Sequence, residues 1–311
     1  MTLPAALLLL GALTAVLAPR LLARADWPDR EPVVALWVWQ CVVAAVLVCC
    51  ALSMTLSAAA AWHAVGVPVF ATAPGPVVEA YALGTSGLWA DTTAVALACG
   101  GLWSVAMLAR EIVRARTRRR RRRAELLLRA PALPGEVPGS APLVALEGER
   151  PDAWWLPGTP PQLVVTTAAL RRLKGRQLDA VLAHEKGHAR ARHDWLLHCS
   201  AALADGFPRV PVFAAFRDEM HRLVELAADD VASRRFGRLT TALALVELNE
   251  DRGVFGPCPT TRAHVPQRVH RLLTPPNRLT AARRLRLTAA AALVPVVPVL
   301  VAFVPGLRAL G

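Results

Sequence analysis

The chain has 311 residues, a formal net charge of +13, 54% hydrophobic residues and only 5% aromatic residues. A soluble domain is usually about 45–50% apolar, so this composition excludes a chain that is soluble throughout and indicates long apolar blocks. The six cysteines include no CxxC pair, which argues against a zinc site built from cysteines.

Three stretches without basic side chains predict membrane helices. Met1 to Pro19 carries no charged side chain, Pro32 to Ala109 has no Lys or Arg, and Leu287 to Leu307 is uncharged. Because about 20 apolar residues span a bilayer core as a helix, we predict four transmembrane helices, at about 3–19, 33–57, 88–110 and 287–307. The alternative for the first block is a cleaved signal peptide, which needs a basic segment before the apolar one; here Arg20 and Arg24 follow it instead.

A run of arginines after the third predicted span sets the orientation. Residues 110–129 contain ten Arg against two Glu, with an unbroken run from Arg118 to Arg123. Such a run can bind nucleic acid, but beside a transmembrane end it is typical of the cytoplasmic side and attracts anionic lipid headgroups. We therefore predict a multi-pass cell-membrane protein with residues 111–286 in the cytoplasm, both termini outside and no nucleic-acid partner.

Glycine and proline divide the cytoplasmic part. Residues 130–142 are rich in both and predict a linker. Further along the chain, apolar residues at helical spacing predict helices over about 176–192, 214–235 and 240–249. Between the linker and the first of these helices we predict short strands at Leu143–Leu146, Ala153–Leu156 and Leu163–Thr167. The predicted domains are a membrane region with three transmembrane helices (1–110), an Arg-rich juxtamembrane segment with the linker (111–142), a soluble α+β domain (143–280) and a C-terminal transmembrane helix (281–311).

The apolar segment 196–213 fits neither a span nor a loop. Asp205, Gly206, Pro208 and Pro211 interrupt it, so it is too broken for a continuous membrane helix. We predict that it lies at the membrane interface or covers the active site.

Residues 184–188 read His-Glu-Lys-Gly-His. On a helix this spacing places His184 and His188 on one face, one turn apart, where both imidazoles can bind one zinc ion. Glu185 would not ligate the metal but would take a proton from the activated water. A solvated charged helix also produces HExxH by chance, but here the motif follows the apolar residues AVLA on a strong helical pattern. We therefore predict a site for one Zn²⁺ with Glu185 as the general base.

The third zinc ligand has two candidates. Metzincins carry a third His six residues after the second, and that position is Asp194 here, with Ala191 in place of the Gly that makes their turn. His193 is one position off and is expected at most to support the site, not to ligate the metal. Glu225 is the better candidate, because Glu225 and Asp229 share one helix face at i, i+4. Glu225 can then ligate zinc while Asp229 hydrogen-bonds a ligand imidazole.

These residues resemble a known family. Ala183–His188 and Glu225–Asp230 look like the gluzincin membrane peptidases, closest to the BlaR/MecR antibiotic sensor-transducers of peptidase family M56, with the HtpX-like and CAAX-prenyl peptidases of family M48 as the related branch. HtpX-like proteins place membrane spans between HExxH and the Glu ligand, whereas here only 36 residues intervene, which favours the BlaR/MecR side. Further similar stretches bring the resemblance to about residues 140–275, namely Asp152–Pro157, Leu163–Thr167, Phe207–Pro208 and Val265–Leu272.

The resemblance implies an α-helical membrane protein with a cytoplasmic α+β zincin-like metallopeptidase domain. It implies a zinc endopeptidase acting on a cytoplasmic or membrane-proximal protein, such as a transcriptional repressor in a signalling pathway. We expect no penicillin-binding sensor domain, because the chain ends at Gly311. A substrate strand is expected to pair with an edge strand near Leu163–Thr167.

Three other functions are alternatives to this one. An HtpX-like quality-control or processing protease is the closest alternative, since the same zinc chemistry would serve it. A catalytically inactive zinc-bound signalling scaffold is disfavoured because a structural site does not need Glu185. Intramembrane proteolysis is disfavoured because Lys186, Arg190 and Asp194 surround the motif.

Overall fold

A computed structural model describes residues 2–64, 75–81, 88–129, 143–156, 162–249 and 265–310. The predicted linker 130–142 lies outside these ranges. Within them the chain forms α-helices and one small sheet, in the order α1 (Thr2–Ala23), α2 (Pro32–Ala64), α3 (Gly75–Ala80), α4 (Leu88–Arg129), β1 (Leu143–Leu146), β2 (Ala153–Leu156), β3 (Gln162–Thr166), α5 (Thr167–Arg172), α6 (Arg176–Arg190), α7 (His193–Gly206), α8 (Pro211–Phe236), α9 (Arg238–Asn249), α10 (Val265–Leu273), α11 (Ala281–Leu293) and α12 (Val296–Leu310).

Long apolar helices dominate the two ends of the chain. Among the described residues, α1, α2 and α4 are long and apolar enough to cross a membrane, and α11 with α12 forms a fourth candidate that bends by 44° between the two helices. The apolar window of α4 runs from Val95 to Arg118, later than the predicted 88–110. Arginine is a good helix former, so α4 continues without a break into the Arg run as far as Arg129.

The segment between the HExxH motif and Glu225 folds into a helical hairpin. Helix α7 ends at Gly206, and α8 begins at Pro211, a residue whose fixed φ suits the first turn of a helix. Phe213 and Phe216 of α8 pack in one apolar core with Trp39 and Val43 of α2, and burial of each such side chain stabilises the fold by about 1.5–3 kcal/mol. The segment 196–213 therefore packs against the apolar helix α2, while its predicted place at the membrane interface or over the active site stays a prediction.

The sheet has the order β1-β3-β2, with β1 parallel and β2 antiparallel to β3. The expectation that a substrate pairs with an edge at Leu163–Thr167 is therefore wrong, because that strand is central and both of its sides are occupied. The run Leu163–Val165 is almost fully buried, as expected for a strand covered on both faces. The edge near the site is β2, which contacts α6.

Helices α6 and α8 cross closely. A Cβ atom added at Gly187 would lie 3.6 Å from the Cα of Ala228 and 3.5 Å from the Cβ of Val231, so a larger side chain would push the two helices apart. Helix α8 ends at Gly237, whose positive φ of 89° favours glycine and whose N–H donates to the carbonyl of Ser233 at 3.0 Å. The crossing brings the HExxH face of α6 against the middle of α8.

Candidate metal centre

Helix α6 presents two imidazoles to a single point. The Nε2 atoms of His184 and His188 lie 3.1 Å apart, as the i, i+4 spacing on one helix face predicts. Both side chains are partly buried, with 13% and 15% of their surface exposed. The two nitrogens can therefore approach one ion that is still open to solvent.

Helix α8 adds the carboxylate. Glu225 Oε2 lies 3.5 Å from His184 Nε2, and Glu225 Oε1 lies 3.5 Å from His188 Nε2. Zinc bonds of about 2.0–2.2 Å in tetrahedral geometry require donor atoms roughly 3.3–3.5 Å apart. The donor atoms of the three side chains lie within 4.8 Å of one another, so these residues could together hold one zinc ion. Asp194, the alternative ligand, is not part of this group.

Each imidazole has a partner on its other nitrogen. His184 Nδ1 lies 3.0 Å from Asp229 Oδ1, as predicted for Asp229, and His188 Nδ1 lies 3.0 Å from the buried His193 Nδ1. Such partners fix the tautomer and ring orientation of a ligating histidine. His193 is the first residue of α7, and Arg192 before it adopts a left-handed conformation with φ of 53° at the break between α6 and α7.

Arg268 of α10 is a member of the site that the sequence prediction missed. Its Nε and Nη2 donate to the two carboxylate oxygens of Asp229 at 2.8 and 2.7 Å, and its Nη1 lies 2.7 Å from Glu225 Oε2. The guanidinium thus holds the carboxylate ligand and the histidine partner in one orientation. A bidentate arginine is suited to this task because its donors form a rigid planar fork.

The carboxylate of Glu185 points to the sheet rather than to the ligand cluster. Its Oε2 accepts a hydrogen bond from the backbone N–H of Trp155 in β2 at 3.0 Å. Edge strand β2 and the general-base candidate are therefore in direct contact. A cavity of about 180 Å³ opens beside these groups, with a wall formed by Val181 of α6 and by Ala244, Leu245 and Leu248 of α9.

The electrostatics separate the roles of these groups. Burial opposes the charged form of His184, but the carboxylates of Asp229 and Glu225 outweigh burial and raise its pKa to about 10. Burial lowers the pKa of His188 to about 3, so this imidazole is neutral and ready to ligate at pH 7. Burial would raise the pKa of Glu225, but the guanidinium of Arg268 and the two imidazoles hold it well below its usual range.

The pKa of Glu185 shifts in the opposite direction to that of Glu225. Burial raises its pKa to about 7, and the Glu225 carboxylate adds to this, while His184 and the Trp155 N–H oppose it. A carboxyl poised near neutral pH can both accept and return a proton, as general acid–base catalysis requires.

The structure thus brings together every residue that the sequence predicted for the site. His184, His188 and Glu225 form the donor group, Asp229 supports His184, and Glu185 lies beside them. The prediction did not include Arg268 or the contact to Trp155, and for His193 it considered support of the site but not ligation. Trp155 and Arg268 lie in two of the stretches that carry the family resemblance, Asp152–Pro157 and Val265–Leu272, but periodicity does not mark them as site residues, because each reaches the site from a separate element.

A comparison with protein families identifies the source of this arrangement. The family model of peptidase family M48 matches residues 114–275, which is just over half of the chain. No curated protein and no solved structure matches the chain. Peptidases of family M48 are zinc-dependent, in agreement with the donor group of His184, His188 and Glu225. The chain belongs to peptidase family M48.

Proposed function

We propose that this protein is a membrane-bound zinc endopeptidase in which His184, His188 and Glu225 hold one zinc ion and Glu185 is the general base. The observation that carries the proposal is the set of donor separations, 3.1, 3.5 and 3.5 Å, with an acidic side chain of raised pKa beside them. A structural zinc site needs no such base, so these features support hydrolysis over an inactive scaffold.

The residues around the site divide the reaction into binding and proton transfer. Zinc, when bound, supplies a Lewis acid that activates water and polarises the substrate carbonyl. Oε2 of Glu185 is held by the Trp155 N–H, so Oε1 accepts the proton of the attacking water. The C–O bond to the substrate carbonyl carbon forms as this proton leaves the water, and the same carboxyl then delivers the proton to the amide nitrogen as the C–N bond breaks.

The free edge of β2 is the proposed substrate-binding strand. Among the described strands β2 pairs on one side only, with β3, and its other edge lies against the site. In an antiparallel ladder alternate residues direct their N–H and C=O groups to one side, and Trp155 directs its N–H away from β3. An extended peptide that adds to this edge would pass between Glu185 and the apolar wall of α9.

For the topology we propose four spans, with the peptidase domain in the cytoplasm and both termini outside. The support is the absence of Lys and Arg from residues 32–109 and their concentration after Ala109 and before Leu287, which the positive-inside rule assigns to the cytoplasm. The partners that follow from this topology are the lipid bilayer and a cytoplasmic or membrane-proximal protein substrate.

The biological role has two candidates. Cleavage of a cytoplasmic repressor follows from the resemblance to the BlaR/MecR group, and the 36-residue interval between His188 and Glu225 supports it. Processing or quality control of membrane proteins, as in HtpX-like peptidases, is favoured by the family match and by the α7–α8 hairpin, which packs against α1 and α2.

The test uses the full chain in lipid nanodiscs loaded with zinc. Fluorescein-labelled casein and a quenched peptide library serve as substrates, with Glu185→Gln as the inactive variant and Lys186→Gln as its matched control. Lys186 is the next residue and is exposed. We expect wild type and Lys186→Gln to cleave and Glu185→Gln to lose activity. Absence of zinc-dependent cleavage in all three proteins, although zinc is bound, would contradict the proposed function.

A further inference from the structure

The connection between α1 and α2 is bonded to α8, which carries Glu225, and to α10, which carries Arg268. Asp29 lies in the short connection between α1 and α2, and its carboxylate accepts a hydrogen bond from Arg222 of α8. Its backbone carbonyl accepts a hydrogen bond from Nε of Arg271 in α10 at 2.7 Å. One residue of the loop thus binds both helices.

Both arginines lie one helical turn from the site. Arg222 precedes Glu225 by three residues on α8, and Arg271 follows Arg268 by three residues on α10. Three residues of α-helix advance by only about 4.5 Å. A displacement of either helix at its contact with Asp29 therefore reaches the zinc-ligand carboxylate or the guanidinium that orients it.

Neighbouring ion pairs connect the two helices to each other. Arg268 binds Asp229 through both oxygens, and Arg271 Nη1 binds Asp230 Oδ1 at 2.8 Å. The apolar residues of α10 pack on α9, in a cluster that contains Leu245, Val265 and Leu272. The position of α10 against α8 therefore depends on these arginine–carboxylate contacts. Asp29 is bonded to Arg222 of α8 and to Arg271 of α10, next to these contacts.

We propose that Asp29 is a positioning residue of the peptidase, which holds α8 and α10 in the relative position that lets Arg268 orient Glu225 and Asp229. The proposal rests on the proposed function. It also implies that a movement of the α1–α2 connection changes the geometry of the metal centre.

A local role in loop stability is the competing explanation. The carboxylate of Asp29 is 42% exposed, and Arg222 has a second partner in Glu219 at 2.8 Å, so loss of the Asp29 charge leaves Arg222 paired. A loop-stability role therefore predicts little change at the site. A positioning role predicts weaker zinc binding and slower turnover with the fold retained.

The experiment compares Asp29→Asn with Asp26→Asn in the full chain in nanodiscs. Asp26 lies in the same connection, is exposed and has no ion pair in the described part of the chain, so it controls for the loss of one negative charge there. Asp29→Glu restores the charge and provides the rescue. Zinc affinity is measured by chelator competition, kcat and KM with labelled casein, and amide hydrogen exchange of α10 in the zinc-free protein.

Mutation of a residue that hydrogen-bonds a metal ligand usually lowers metal affinity or enzyme activity by about 10–100-fold. Asp29 lies one contact further out, so we expect about a three- to tenfold loss of zinc affinity and of kcat in Asp29→Asn, with KM unchanged. Exchange of the α10 amides rises in Asp29→Asn and not in Asp26→Asn. Asp29→Glu recovers most of the loss.

Equal zinc affinity and equal α10 exchange in Asp29→Asn and Asp26→Asn would overturn the proposal, as would a loss that Asp29→Glu does not reverse. The exchange measurement separates this failure from failure of the proposed function. A wild-type protein that binds no zinc and cleaves nothing would reject the peptidase, while the response of α10 to Asp29→Asn would still decide whether Asp29 holds α8 and α10 together.

Discussion

Glu185→Gln is expected to abolish hydrolysis and to stabilise the zinc-free protein at alkaline pH. Glu185 is largely enclosed, and the Trp155 N–H is its hydrogen-bond donor at 3.0 Å. Burial of this carboxyl raises its pKa from 4.5 to about 7. The charged carboxylate is thus a cost to the fold that catalysis requires, and an uncharged amide of the same shape removes it.

The size of this cost follows from the pKa. One pKa unit corresponds to about 1.4 kcal/mol, so the rise from 4.5 to about 7 amounts to roughly 2–3 kcal/mol after allowance for partial solvent contact. A carboxyl whose pKa is raised on folding binds its proton more tightly in the folded state. Its favourable contribution is therefore present below about pH 4.5 and is lost as the pH rises through about 7.

The assay is thermal unfolding of the purified, EDTA-treated protein at pH 5 and pH 8. We expect Glu185→Gln to unfold several degrees above wild type at pH 8 and close to it at pH 5, with Lys186→Gln equal to wild type at both. Zinc content of the loaded variant stays at the wild-type level, because Glu185 is not in the donor group, while turnover falls by about 10²–10⁴-fold. A stability difference that is the same at both pH values, or cleavage as fast as wild type, would refute this reasoning.

Three further predictions concern the metal and the membrane. The ligand variants His184→Ala, His188→Ala and Glu225→Ala should each lose most of their bound zinc, whereas Asp194→Ala should keep it, as measured by metal analysis of the purified proteins. Full zinc in Glu225→Ala together with loss of zinc in Asp194→Ala would reverse the assignment of the third ligand. His193→Ala should weaken zinc binding by about tenfold, measured by chelator competition, because His188 Nδ1 loses its partner at 3.0 Å. Reporter fusions after Thr85 and Gly311 should be exported and a fusion after Gly139 cytoplasmic; a cytoplasmic reporter at Thr85 would invert the topology.

The helices around the site could be predicted because their signals are local. The predicted helix at about 176–192 corresponds to α6 at Arg176–Arg190, and the one at about 240–249 corresponds to α9 at Arg238–Asn249. The spacing of His184 and His188 is a property of any α-helix, so their Nε2 atoms could be placed together without a tertiary structure. Glu225 and Asp229 were assigned to one face for the same reason.

The order of the strands could not be obtained in this way. Strand β3 was expected at an edge, but it pairs with β1 on one side and β2 on the other. Strand pairing joins residues that are distant along the chain, and periodicity carries no information about it. The unbroken apolar run Leu163–Val165 was the one available signal, because a strand covered on both faces does not alternate.

The sequence by itself was sufficient to predict a zinc hydrolase site, since two histidines and an acid lie on one predicted helix and Glu225 lies on another. Only the tertiary structure decided how that chemistry is held in place. Arg268 binds Asp229 across 39 residues, and Arg222 binds Asp29 across 193. Contacts of this kind depend on how whole helices pack, because an arginine is equally suited to solvent, to a lipid headgroup or to a buried carboxylate until the neighbouring elements are in place.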